Sequence, residues 1–139
     1  MKQIFIGTYE FGYSWVRLYL REGTGADGDC FPKDKGIQTF HIGADKKRWR
    51  DILATLLHEA QEACMHELGF AYNHNRQINN SSADFLFVLT HEQFNECCCR
   101  AGELIALCQS DLHTAWKKWQ TDAKKPVVKR IRKGKKHQK

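Results

Sequence analysis

The sequence predicts an α+β domain in which two long helices pack on a small four-stranded sheet, mixed or antiparallel, in the order β-β-β-α-β-α with a basic C-terminal tail. Three observations point there. Residues 3–7, 14–20 and 36–42 are rich in β-branched and aromatic side chains, as strands are. Residues 46–68 and 90–119 place apolar side chains at three- and four-residue steps, the period of an amphipathic helix. Between those helices lies a continuous apolar run, 85–89. A chain of 139 residues is long enough for one independent core. We place that domain at 1–122 and the tail at 123–139.

Along 14–20, Val16, Leu18 and Leu20 share one face and Trp15, Arg17 and Tyr19 the other, the alternation of a half-exposed antiparallel strand. Residues 8–13 connect it to the first strand, with Gly12 available for a turn, and a hairpin is the simplest connection. Residues 22–35 are polar and glycine-rich and predict a loop. Gly23, Gly25 and Gly28 match a dinucleotide-binding pattern as letters. However, Asp27, Asp29, Cys30 and Pro32 stand where a helix must open, and the two acids repel a pyrophosphate. Asp27 and Asp29 also lack the ligand spacing of an EF-hand loop.

The first helix carries Trp49, Ile52, Leu53, Leu56, Leu57, Ala60, Ala63, Cys64 and Leu68 on one stripe. Asp45 sits where an N-cap belongs and Gly69 where a helix ends. A polar connection, 72–82, leads to 85–89, which reads as a central strand buried on both faces and joined to the third by a crossover. Thr90 and Gln93 have the spacing of a capping box. Phe94, Cys97, Cys98, Ala101, Leu104, Ile105, Cys108, Leu112, Ala115, Trp116 and Trp119 then keep helical period. Glu92 and Glu96 suit that helix's N-terminal end, and Lys117 and Lys118 its C-terminal end.

Charge is unevenly distributed. Residues 1–122 carry thirteen Lys/Arg against sixteen Asp/Glu, a balance of −3, while 123–139 carry nine Lys/Arg and no acid. Lys124, Lys125, Lys129, Arg130, Arg132, Lys133, Lys135 and Lys136 form a segment that attracts phosphate without reading sequence, or else a solvated end. Non-specific nucleic acid is therefore one expected partner. No apolar run approaches a membrane span, and Met1–Ile6 has the character of a first strand rather than of a signal peptide. Of six cysteines, Cys97, Cys98 and Cys108 fall on the second helix's stripe while Cys99 lies off it. No CxxC pair exists, so reduced thiols in a cytosol are expected.

One group of residues carries metal chemistry. His58 and Glu62 stand four apart on a helix and share a face on roughly the opposite side from the apolar stripe, with Glu59, between them in sequence, and His66 toward the flank of the stripe. Two such side chains can reach one ion while the intervening carboxylate activates water. His91 is a candidate third ligand, with His66 and His41 as others. The same residues also suit a solvent face or a contact between helices, so the cofactor expectation is zinc or none.

His58-Glu59-x-x-Glu62 resembles the His-Glu-x-x-His helix of zinc peptidases, with a glutamate in place of the second histidine. That resemblance implies a metal-dependent hydrolase with Glu59 as catalytic base. A longer stretch, from Trp49 to Trp119, is similar to small phage and prophage accessory proteins. It contains Ala83-Asp84-Phe85-Leu86-Phe87-Val88-Leu89-Thr90-His91 and Asp111-Leu112-His113-Thr114-Ala115-Trp116. This second resemblance implies a non-enzymatic protein that binds and blocks a host protein or nucleoprotein complex, as anti-CRISPR proteins do.

Overall fold

The computed structural model describes residues 2–34, 36–68, 71–72 and 86–125. Strands β1 (Gln3–Phe11) and β2 (Ser14–Arg21) form an antiparallel hairpin. Its two-residue turn is tighter than the expected 8–13 connection. Gly12 turns it with φ +59°, and a Cβ there would also meet the Arg100 guanidinium. Strands β3 (Ala26–Asp34) and β4 (Ile37–Gly43) complete a mixed sheet of order β1-β2-β4-β3, with β4 parallel to β2 and antiparallel to β3. The chain thus leaves β2, steps over the end of β4, and returns between its neighbours. Residues 22–25 make that step, and four extended residues reach about 13 Å, enough for two strand spacings of about 4.8 Å.

That step fixes a glycine. The Gly43 amide donates to the Gly25 carbonyl at 2.7 Å, Ala44 to Arg21 at 2.8 Å and Asp45 to Gly23 at 3.0 Å. A Cβ on Gly43 would press into the Gly25 carbonyl oxygen and stand 2.7 Å from that of Gly23. Both obstacles are backbone, so they cannot swing aside as a side chain would.

Helices α1 (Trp49–Glu67) and α2 (His91–Ala123) both lie on one face of the sheet. Val16, Leu18, Leu20, Phe40 and Ile42 point inward from alternate strand positions and meet Ile52, Leu56, Ala60, Leu104, Cys108 and Leu112. Each Val, Leu, Ile or Phe among them, fully buried, contributes about 1.5–3 kcal/mol. α2 opens with the expected capping box, Thr90 Oγ1 accepting from the Gln93 amide and Gln93 Oε1 from the Thr90 amide.

The α+β class, the two long helices and the three strands from 3–7, 14–20 and 36–42 stand as expected. The fourth strand does not. β3 comes from the segment read as a loop, because pairing with β4 orders a stretch with no alternation of its own. Within 85–89, β6 (Leu86–Phe87) pairs only with β5 (Ala71–Tyr72) in a separate two-stranded sheet, and Val88 is 57% exposed. The expected central strand and crossover are absent among the described residues. Most of the 72–82 connection, together with Gly69 and Phe85, lies outside the described residues. Asp45 does not cap α1; Arg48 is the N-cap residue and makes no side-chain cap bond. The boundary placed at 122 falls in the last turn of α2.

Two glycine substitutions separate the steric claim from propensity. Gly43→Ala should lower the unfolding free energy by about 3 kcal/mol, as overpacking against fixed atoms does. Gly102→Ala, exposed in mid-helix with nothing near its missing Cβ, should raise it by about 0.5–1 kcal/mol. Urea melts of both variants check this; a neutral Gly43→Ala would mean that the step over β4 is placed wrongly.

Candidate functional site

The α1 group assembles as the spacing requires. Ligand atoms of His58, Glu59 and Glu62 all lie within 4.8 Å of one another. His58 Nε2 stands 3.0 Å from Glu62 Oε2, and His66 Nε2 stands 3.7 Å from the other oxygen of the same carboxylate. His58 separates two open depressions. One, of about 370 Å³, is lined by Ala26, Lys46, Ala54, Thr55, His58 and Glu59. The other, of about 170 Å³, is lined by His58, Gln61, Glu62 and Met65. Lys46 Nζ donates to Thr55 Oγ1, which in turn donates to the Asp51 carbonyl at 2.8 Å.

Burial sorts these residues differently from the sequence reading. His58 is exposed and Glu62 half-buried, but Glu59 is only 6% exposed. The reason is rotational: Glu59 follows Ile52 by seven residues and so returns to within about 20° of its direction, among Leu56 and Ala63. His91 opens α2 and is not a member of the group. If Glu59 serves as base, two protein ligands remain in the group, one fewer than a catalytic zinc takes. Donors bound to one zinc at about 2.0–2.1 Å sit about 3.3 Å apart, so the His58–Glu62 contact would need to open slightly.

A second polar centre was not foreseen. Arg100 on α2 is buried. Its Nε donates to Glu96 Oε1 at 2.8 Å, and its Nη1 lies 3.4 Å from Glu67 Oε2 on α1. Its guanidinium lies 5.5 Å from the Tyr13 ring centroid and under Gly12, so one cation joins both helices to the β1–β2 turn. Burial opposes its charge, but the Glu96 bond and the acids around it outweigh that and hold the proton more firmly. A signal existed: Arg100 sits four residues before the buried Leu104, beside Ala101, with Glu96 four residues earlier.

The thiols follow the helix wheel. Cys64, Cys97 and Cys108 are buried, while Cys98 and Cys99 are exposed. Cys98 was expected on the stripe, yet it stands about 100° from the Cys97–Ala101–Leu104–Cys108 line. Burial pushes Cys108 up to about 12, and burial with a hydrogen bond to Cys97 does the same for Cys64.

The sheet's other face carries large side chains. The register sets Phe5, Tyr19 and His41 side by side, with ring centroids 5.3 Å and 5.1 Å apart. Trp15 and Arg17 lie on the same face, and among the described residues neither helix packs there. The tail cations Lys124 and Lys125 close α2 and follow it, whereas Lys129, Arg130, Arg132, Lys133, Lys135 and Lys136 lie outside the described residues. No described helix is long and apolar enough to cross a membrane. Comparison with protein-family models, with curated proteins and with solved structures finds no match.

Two outcomes follow for the thiols. Cys98 and Cys99 should react with a thiol reagent in the native protein, and Cys64, Cys97 and Cys108 only after denaturation, as peptide mass mapping would read. Unfolded thiols lose their protons near their ordinary value of 9.0, whereas folded Cys64 and Cys108 keep theirs to about 12. The unfolded state then binds fewer protons, so stability should fall as pH rises from about 9 toward 12. Cys108→Ala should flatten that decline; an unchanged slope would contradict the assignment.

Proposed function

We propose that this chain acts by binding: a phage or mobile-element accessory protein that engages a host protein or nucleoprotein complex in the cytosol, without catalysing a reaction. The observation that carries this reading is the face of the sheet opposite the helices, where Phe5 and Trp15 are 53% and 45% exposed. A face turned to water is ordinarily polar, and large exposed aromatics are a feature of interaction surfaces. The nine cations of 123–139 supply the contact to an anionic surface. The resemblance to phage accessory proteins read from the residues of 49–119 is what suggests the setting.

A second reading, a zinc-dependent hydrolase, is favoured by the convergence of His58, Glu59 and Glu62 beside a depression of about 370 Å³. In it Glu59 would serve as the base for a bound water, His58 and Glu62 would hold the ion, and His66, whose Nε2 stands 3.7 Å from Glu62 Oε1, would be the further candidate ligand.

Binding to a DNA duplex at several salt concentrations tests the first reading. The full chain should lose affinity steeply with salt, and a form ending at Lys125 should lose most of both affinity and slope. Equal binding by the two forms would remove the tail as the anionic contact. For the second reading, zinc titration decides. Stoichiometric zinc lost on His58→Ala and on Glu62→Gln would establish the metal site and displace the binding-only account.

A further inference from the structure

The face of the sheet opposite the helices holds more order than a scatter of exposed aromatics. Read across the strands, Phe5, Tyr19 and His41 form one row and Thr8, Arg17 and Thr39 the next. In the third row Trp15 stands between Glu10 and Ile37. Tyr19 and His41 are stacked, their planes 28° apart, and Phe5 leans on Tyr19. Trp15 lies four residues along β2 from Tyr19, about 13 Å away, with the exposed Arg17 midway.

We propose that this face is a stacking platform for single-stranded nucleic acid. Phe5 and Trp15 each take a base, and Arg17 meets the phosphate backbone between them. The inference deepens the reading of the chain as a binder of an anionic partner, and it rests on that reading.

Three observations select this occupant. The aromatics are interleaved with Arg17, Thr8 and Thr39, which suits bases alternating with phosphate and does not suit a continuous apolar partner. Every base offers a π-face whatever its identity, so stacking tolerates sequence, whereas a duplex hides those faces within its own stack. The position of the basic segment supplies charge complementarity. Gln120 donates to the Ala44 carbonyl, which seats the last turns of α2 just past the end of β4, three residues along the chain from His41. The fourteen residues after Lys125 carry seven of the cations and can span up to about 46 Å, enough to follow a strand laid on this face. On β3, Asp27 and Asp29 occupy the register positions beside His41 and Thr39.

The test uses the full chain with fluorescein-labelled 15-mers of deoxythymidine and uridine, and a 15-base-pair duplex, read by anisotropy. The single strands should bind more tightly than the duplex. Phe5→Thr and Trp15→Thr should each weaken single-strand binding roughly tenfold, the scale of one lost stacking contact. Trp15→Phe should restore it, and Phe94→Thr, an exposed aromatic on α2, should change nothing. Circular dichroism melts confirm that each variant folds.

Undiminished binding by folded Phe5→Thr and Trp15→Thr would overturn the platform while leaving an anionic partner held by the tail. Failure of the full chain to bind any of the three probes at low salt would overturn both the platform and the nucleic-acid contact. Sedimentation showing self-association that the same two variants abolish would reassign the face to a second copy of the chain, and also overturns the proposal.

Discussion

The carboxylate of Asp45 is the point on which the rest of the structure depends. One oxygen accepts from the Gly23 amide at 2.6 Å and the other from the Trp119 indole at 3.0 Å. A single side chain therefore joins the step between β2 and β3, the exit from β4 and the end of α2. Neighbouring bonds reinforce it: Trp116 Nε1 donates to the Lys46 carbonyl at 3.0 Å, and Gln120 Nε2 to the Ala44 carbonyl at 2.9 Å. The backbone of 44–46 is thus satisfied by α2 side chains where α1 has not yet begun, meeting the general demand that main-chain polar groups find partners.

This junction sets where the helices can go. With the end of α2 held at Ala44–Lys46, and its buried line meeting Val16, Leu18 and Leu20, both helices share one face. At the other end of the molecule, Arg100 fixes α2 to α1 through Glu67 and to the hairpin turn through Tyr13. The two junctions, one built on a carboxylate and one on a guanidinium, pin α2 near both ends of the sheet. What is left uncovered by the helices is the face with Phe5, Trp15, Arg17, Tyr19 and His41.

Much of this was legible in the sequence where the signal is local. The capping box of Thr90 and Gln93 depends on residues three apart, and the alternation of 14–20 assigned Trp15, Arg17 and Tyr19 to one face before any register was known. What was not legible depends on partners far along the chain. β3 has a glycine, three aspartates and a proline, and it becomes a strand because β4 offers it a ladder. Residues 85–89 have the apolarity of a buried strand, yet among the described residues of that run Leu86 and Phe87 pair with β5 rather than with the main sheet. Asp45 looked like a cap because capping residues and loop-tying residues share the same short carboxylate. The row of Phe5, Tyr19 and His41 needed a register that skips Ile6, where β1 bulges between Phe5 and Gly7. At the α1 group the spacing brings His58, Glu59 and Glu62 together, and Glu59 is buried because it lies nearly in line with Ile52 on the wheel.

The most direct measurement of the central claim is an amide and indole chemical-shift map of the isotopically labelled full chain, titrated with an unlabelled single-stranded deoxythymidine 15-mer. The account predicts that the largest changes fall on Phe5, Arg17, Tyr19 and His41 and on the Trp15 indole, with the exposed faces of α1 and α2 little altered. Changes confined to 123–139, or centred on His58, Glu59 and Glu62, would contradict it.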